Sequence, residues 1–178
     1  MRRWSGFSLL DYKHQAYIGM GSNVGDRVDH CRKAIAALAA AKGCLLEAAS
    51  PLYETEPVDF EDQSWFVNGV ARLRTCLEPE ALLHQLRAIE RAMGRKPEGR
   101  KFGPRILDLD ILFFNDWIVR TTDLEFPHPR LHRRRFVLKP LCDIAPELVH
   151  PVLGETIRSL LSGLQDGQKR VILLKCDS

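Results

Sequence analysis

The chain has 178 residues, with 45% apolar and 28% charged side chains, which suits one domain with a buried core and excludes a disordered or membrane-embedded chain. Its net charge of +3 comes from 26 Lys+Arg against 23 Asp+Glu. That charge is unevenly placed: residues 87–105 carry seven basic and two acidic side chains, residues 130–139 carry five basic ones and no acid, and five acids crowd into residues 54–62. Two basic foci, rather than a basic face, suit a compact anion and not a nucleic acid.

Residues 1–14 read as a disordered N-terminal extension and residues 15–178 as a single domain. The apolar stretch after Arg2 and Arg3 is too short for an export signal, and the longest apolar run, residues 34–41, is too short to span a membrane. The five cysteines are odd in number and lack a CxxC spacing. They read as small buried or half-buried hydrophobes in a reducing cytoplasm.

Residues 16–20 read as a short buried strand, followed by a Gly-Ser-Asn turn with Asp26 as helix N-cap. Val28, Cys31, Ile35 and Leu38 recur at helical spacing, and this helix is expected to end near Gly43. Residues 44–53 read as a strand, then comes the acidic loop. Residues 65–75 alternate as a long strand, with Phe66, Asn68, Val70 and Arg72 on one face. Pro79 opens a second helix with Leu82, Leu86, Ile89 and Met93 as its apolar stripe, closed by Gly94. Residues 95–105, rich in Gly, Pro and cations, read as a mobile loop, and residues 106–114 are the clearest strand. The order β-α-β-β-α-β is that of an antiparallel ferredoxin-like sheet with helices packed on it, an α+β fold. A C-terminal extension follows: a strand at 117–120, helices at 135–144 and 155–161, and a strand at 171–174.

On the strand at 106–114, Leu107, Leu109 and Ile111 fill one face while Asp108 and Asp110 share the other, their Cβ atoms about 6–7 Å apart. Two carboxylates near the middle of an apolar strand are costly unless neutralised. Two Mg²⁺ ions shared with a polyphosphate would do this; so would arginine partners or a solvated face, and the pattern alone does not choose. The cations before that strand (Arg95, Lys96, Arg100, Lys101, Arg105) strengthen the phosphate reading, because guanidiniums pair with phosphate oxygens. His128 and His132 are four apart, but Pro129 disfavours a helix and no HExxH pattern is present, so zinc is not expected. The Gly19/Gly21/Gly25 spacing fits neither a dinucleotide fingerprint nor a P-loop. Phe136, taken alone, reads as core.

Several segments together resemble one family. They are residues 17–23 (YIGMGSN), 53–58 (YETEPV), 62–68 (DQSWFVN), 94–95, 102–112 (FGPRILDLDIL), 127–130 (PHPR), 136–141 (FVLKPL) and 144–148 (IAPEL). In order and spacing, from about residue 16 to 162, they are similar to 6-hydroxymethyl-7,8-dihydropterin pyrophosphokinase of folate biosynthesis. The resemblance implies transfer of the β,γ-pyrophosphoryl group of MgATP to the pterin hydroxymethyl group, with release of AMP. It implies Asp108 and Asp110 as ligands of two Mg²⁺ ions, and Arg95, Arg105 and Asp110 as catalytic residues. Glu90, Arg95, Lys101, Arg105, Ile111, His128 and Arg134 are implied at ATP. Thr55, Val58, Phe66, Asn68, Phe102 and Phe136 are implied at the pterin, with Phe66 and Phe136 as its aromatic sandwich. Pro97 and Lys101 stand where arginines are common in the family, Phe102 where tryptophan is commoner, and Asp59 and Phe60 where a glycine-containing turn is usual. The expected partners are small molecules only, with no nucleic acid and no membrane, and the expected state is a monomer. The competing readings are a ferredoxin-like RNA-binding module, against which the acids of the DLD strand argue, and a small-molecule-binding domain of the same fold without catalysis.

Overall fold

The computed structural model describes residues 12–58, 61–95, 104–165 and 169–175. The elements in chain order are β1 (His14–Ser22), α1 (Arg27–Ala40), β2 (Cys44–Ala49), β3 (Tyr53–Thr55), β4 (Phe66–Thr75), α2 (Pro79–Ala92) and β5 (Asp108–Phe114). They continue with β6 (Val119–Arg120), β7 (Glu125–Phe126), a 3-10 turn (Leu131–Arg133), α3 (Arg135–Ile144), α4 (Ile157–Ser162) and β8 (Val171–Leu173). In the main sheet β1 lies between β5 and β4. The far edge of β4 is shared by β3, opposite its first residues, and by β2, opposite its last. β8 adds to β3, and every pairing is antiparallel. This is the ferredoxin-like plan, with its second strand broken in two.

The break has a local cause. A single strand over 44–53 was the expectation, but Pro51 has no N–H to give a ladder, and Ser50 closes the gap instead. Its N–H donates to Val70 O at 2.8 Å and its hydroxyl accepts from Val70 N at 2.9 Å. The freed residues Tyr53–Thr55 then pair with Phe66–Asn68, which brings Thr55 beside Asn68.

Alternation along β1 separates two cores. Ala16, Ile18 and Met20 pack with Cys31, Ala34 and Leu38 of α1 and Leu82 and Leu86 of α2. Tyr17 on the opposite face joins Val70, Leu112, Phe113, Leu138 and Leu141 under α3 and α4. Both faces of the sheet are therefore covered, and β5 serves both. A bulge between its pairings to Tyr17 and Ile18 leaves Leu112 extra, so Leu112 and Phe113 both enter the α3 layer while Ile111 stays in the other.

Several boundaries differ from expectation. β5 begins at Asp108, so the two carboxylates stand at its start and not near its middle; Gly21↔Asp108 is the last rung against β1. α1 stops at Ala40, short of Gly43, whose φ of 76° makes the turn into β2. The strand at 117–120 shrinks to β6, which pairs only with β7. Residues 1–11 of the expected extension lie outside the described residues, whereas His14 is buried as the first residue of β1. Of the cysteines, Cys31 and Cys44 are buried, Cys76 and Cys142 half-buried, and all four are free. Among the described residues no helix is long and apolar enough to cross a membrane.

Candidate active site

A cleft of about 340 Å³ opens on the α3 side of the sheet, where the end of β1, the start of β4 and the start of β5 meet the first turn of α3. That volume is in the range of a small-molecule site. One part is charged and the other mostly flat and apolar.

The charged part is organised around Asp108. Arg95 donates to its Oδ1 at 2.6 Å, and Arg105 donates to its Oδ2. Arg95 is held from behind by Glu90, which also accepts the N–H of Leu109 at 2.7 Å. One buried carboxylate thus ties the end of α2 to the start of β5. Burial pushes the Glu90 carboxyl up, opposed by the Leu109 N–H and by Arg95. Partial burial works against the Arg95 charge, but Asp108 and Glu90 outweigh it and hold the guanidinium above its usual value. Asp110 faces the cleft, open to solvent. Desolvation within the cleft, then repulsion from Asp108 and Glu90, push its carboxyl upward, against Arg105 and Arg95. Water in the open cleft moderates that push.

The flat part contains Phe66, Phe136 and Val58, with Asn68 and Thr55 at its edge. Asn68 Nδ2 donates to Thr55 Oγ1 at 2.7 Å. Gly21 explains one glycine of the early turn: a Cβ there would lie 2.7 Å from Asn68 Oδ1, so a side chain would push the amide away. The Arg134 guanidinium lies 5.5 Å from the Phe136 ring centroid. His128 and Arg130 complete the rim. Burial, then the nearby Arg134 and Arg130, lower the His128 pKa to about 4, so its ring is neutral at pH 7.

Of the residues singled out in the sequence, Thr55, Val58, Phe66, Asn68, Arg95, Arg105, Asp108, Asp110, His128, Arg134 and Phe136 line this one cleft. Glu90 stands behind Arg95 and does not line it. Ile111 differs from its expected place at the nucleotide: it is 6% exposed and packed in the α1/α2 core, because it alternates away from Asp108 and Asp110. Lys101 and Phe102 lie outside the described residues, as do Asp59, Phe60, Pro97 and Arg100. Arginines from both basic foci reach the cleft, Arg95 and Arg105 from one and Arg130 and Arg134 from the other. The acidic stretch is largely paired: Glu54 with Arg27 at 2.8 Å, Glu56 with Arg170 at 2.8 Å and Glu61 with Lys169 at 2.6 Å.

Sequence reasoning missed the supports of this cleft. Asn23, 4% exposed, bonds to the main chain of Arg105 and donates from Nδ2 to Gln63 Oε1 at 2.9 Å. Arg27 donates to Trp65 O at 2.7 Å. The only available signal was the polar Asn23 directly after a buried strand.

Among the described residues, no three His, Cys, Asp or Glu side chains cluster as a closed metal cage. Asp108 and Asp110 instead offer two carboxylates beside an open space, which fits Mg²⁺ bound jointly by one or two carboxylates and phosphate oxygens.

The sequence pattern of the 7,8-dihydro-6-hydroxymethylpterin-pyrophosphokinase family matches residues 17–146. The chain belongs to that family. It is 41% identical over 158 residues to the 2-amino-4-hydroxy-6-hydroxymethyldihydropteridine pyrophosphokinase of Methylorubrum extorquens, covering 88% of this chain and 98% of that protein. It is 43% identical over 157 residues to the folic acid synthesis protein fol1 of Pneumocystis carinii, covering 88% of this chain but only 21% of that much longer protein. The crystal structure of Plasmodium falciparum HPPK-DHPS superposes with a TM-score of 0.67 at 18% identity, over 87% of this chain and 47% of that one. This last likeness concerns the fold, and it places the pyrophosphokinase architecture on the sheet described above.

Proposed function

We propose that this chain transfers the β,γ-diphosphoryl group of MgATP to the hydroxymethyl group of 6-hydroxymethyl-7,8-dihydropterin, releasing AMP, as a step in tetrahydrofolate biosynthesis. One observation carries the reading: a single cleft joins an arginine–carboxylate cluster at Asp108 to an aromatic and amide-edged pocket at Phe66, Phe136 and Asn68. A phosphate donor and a planar heterocycle need those two environments side by side.

In this reading Phe66 and Phe136 hold the pterin by its faces, and Asn68, oriented by Thr55, meets its donor/acceptor edge. Arg95 and Arg105 neutralise Asp108 before substrate arrives and turn to the triphosphate when it does. Asp108 and Asp110 would hold two Mg²⁺ ions, which supply charge neutralisation of the triphosphate and polarise it toward attack. The hydroxymethyl oxygen forms a bond to the β-phosphorus, the bond from that phosphorus to the α,β-bridging oxygen breaks, and AMP leaves with the bridging oxygen. Asp110, the carboxylate facing the cleft, takes the hydroxyl proton. The cationic side chains stabilise the charge that builds on the transferred group. His128, neutral at pH 7, acts at the nucleotide as a hydrogen-bonding group, alongside Arg134. Ile111 would contribute through its main chain. The reading takes the protein as a monomer, because one chain supplies both parts of the cleft and no second subunit is required.

The test is product analysis. Incubation with MgATP and the hydroxymethyl-dihydropterin is expected to yield AMP and the pterin diphosphate without ADP, and Asp110→Ala is expected to lose most of kcat while folding normally. Release of ADP, or no turnover by folded protein with authentic substrate, would overturn the reading.

A further inference from the structure

The second basic focus is only half accounted for by the cleft. Arg130 and Arg134 line it, but Arg133 and Arg135, with Lys169 and Arg170 from the start of the β8 segment, line a smaller cavity of about 40 Å³. This cavity shares Glu56, Val58, Arg134 and Phe136 with the cleft.

Its charge is poorly balanced. Of the cations bordering it, Arg170 pairs with Glu56 and Lys169 with Glu61 through an exposed contact, and among the described residues no carboxylate pairs with Arg133 or Arg135. Arg133 Nε donates to His132 Nε2 at 3.1 Å, an acceptor that carries no negative charge, so the guanidinium charge is not offset there. Arg135 Nε is buried with no hydrogen-bond partner among the described residues. α3 begins at this point with no side-chain cap and no acidic residue in its first turn, so the positive end of its dipole faces the same group. Clustered like charges repel, and a buried unpaired N–H is costly. A compact anion with several acceptor oxygens relieves both.

We propose that this cavity binds a free tetrahedral oxyanion of the phosphate class, held by Arg133, Arg135 and Lys169 at the start of α3. It is distinct from the triphosphate position at Arg95, Arg105 and Asp108. At roughly 10–15 Å³ per water, the space suits a group with the bulk of a few waters, which is a phosphate and not a nucleotide. The assignment does not rest on the pterin reading of the cleft.

Calorimetric titration of the whole chain with inorganic phosphate at low ionic strength tests it. Two phosphates per chain are expected for the protein alone, and one once Mg²⁺ and a non-hydrolysable ATP analogue fill the cleft. Arg135→Gln and Lys169→Gln are each expected to weaken the retained phosphate by about fivefold or more, the loss of one charge-assisted contact, with kcat unchanged. Lys169 has an exposed side chain, so its variant keeps the test sound if Arg135→Gln unfolds. Glycerol phosphate, too bulky for the cavity, is expected to bind several-fold more weakly. No phosphate uptake beside the analogue, unchanged affinity in Lys169→Gln, or tighter binding of the ester would each overturn the proposal. Failure of the analogue to bind would count against the cleft reading, while the variants would still decide the phosphate site.

Discussion

Asn23 and Arg105, 82 residues apart, are joined by two hydrogen bonds to the Arg105 main chain: Arg105 N donates to the Asn23 side-chain Oδ1 at 2.7 Å, and Asn23 N donates to Arg105 O at 3.0 Å. The clamp fixes the residue whose guanidinium reaches Asp108, and the remaining amide hydrogens tie the same loop to Gln63 and to Ser64 O. Asn23→Ala deprives the half-buried Arg105 N–H of its acceptor and Gln63 Oε1 of the Asn23 donor. The expected stability loss is about 1–3 kcal/mol. Because Arg105 loses its register, kcat is expected to fall by about tenfold to a hundredfold, with a smaller change in the KM for ATP. Urea unfolding and steady-state kinetics check both, and a variant of full kcat would remove Asn23 from the positioning of Arg105.

Gly21 and Asn68 make a different kind of pair. The methyl group of Gly21→Ala meets Asn68 Oδ1 at 2.7 Å, and Asn68 cannot yield freely because it is buried and bonded to Thr55. The expected outcome is a rise of about tenfold in the KM for the pterin, roughly one hydrogen bond's worth, with the KM for ATP close to wild type. Equal changes in both constants would mean that the substitution disturbs the whole cleft and not its amide edge.

The two pairs also mark how far the sequence was readable. The apolar face of Leu107, Leu109 and Ile111 leading into and along β5, the helix at residues 135–144 and the arginines flanking the carboxylates were legible because each follows from local periodicity or composition. The break at Pro51 had a visible proline but no visible partner, since Val70 meets Ser50 only once the sheet has formed. The bulge at Leu112 left no local mark, and alternation alone assigns Phe113 to the wrong face. The Asn23 clamp and the Glu90 bridge were hidden for the same reason. They are long-range hydrogen bonds from ordinary polar residues, and only the tertiary fold says which polar residues lose their water.

Glu90 separates charge from shape. Its carboxylate receives the Leu109 N–H at 2.7 Å and binds Arg95, and the side chain is 8% exposed. Glu90→Gln keeps an acceptor for Leu109 but removes the charge opposing Arg95, whereas Glu90→Ala removes both. The alanine variant is expected to lose about 2–3 kcal/mol and the glutamine variant about half of that. Both should lower turnover, since Arg95 is no longer held from behind. Chemical unfolding of the two variants side by side gives the ranking, and equal losses would show that the Leu109 bond contributes nothing.

The pH dependence of stability should carry the mark of His128. Its ordinary pKa of 6.5 falls to about 4 in the fold, through burial and then the charges of Arg134 and Arg130. Between those values the unfolded chain binds a proton that the folded chain refuses. The stability linked to this residue is therefore complete above about pH 6.5 and is lost as the pH falls toward 4. A shift of that size corresponds to about 3 kcal/mol at most, reduced where solvent reaches the half-buried ring. His128→Asn has no such titration, so the difference between wild type and variant in unfolding free energy should shrink by about 1–3 kcal/mol from pH 7 to pH 4.5. Catalysis should show no His128 titration between pH 6 and 8, because the ring is already neutral there. A constant stability difference across the acid range would mean that burial and the arginines do not exclude the proton.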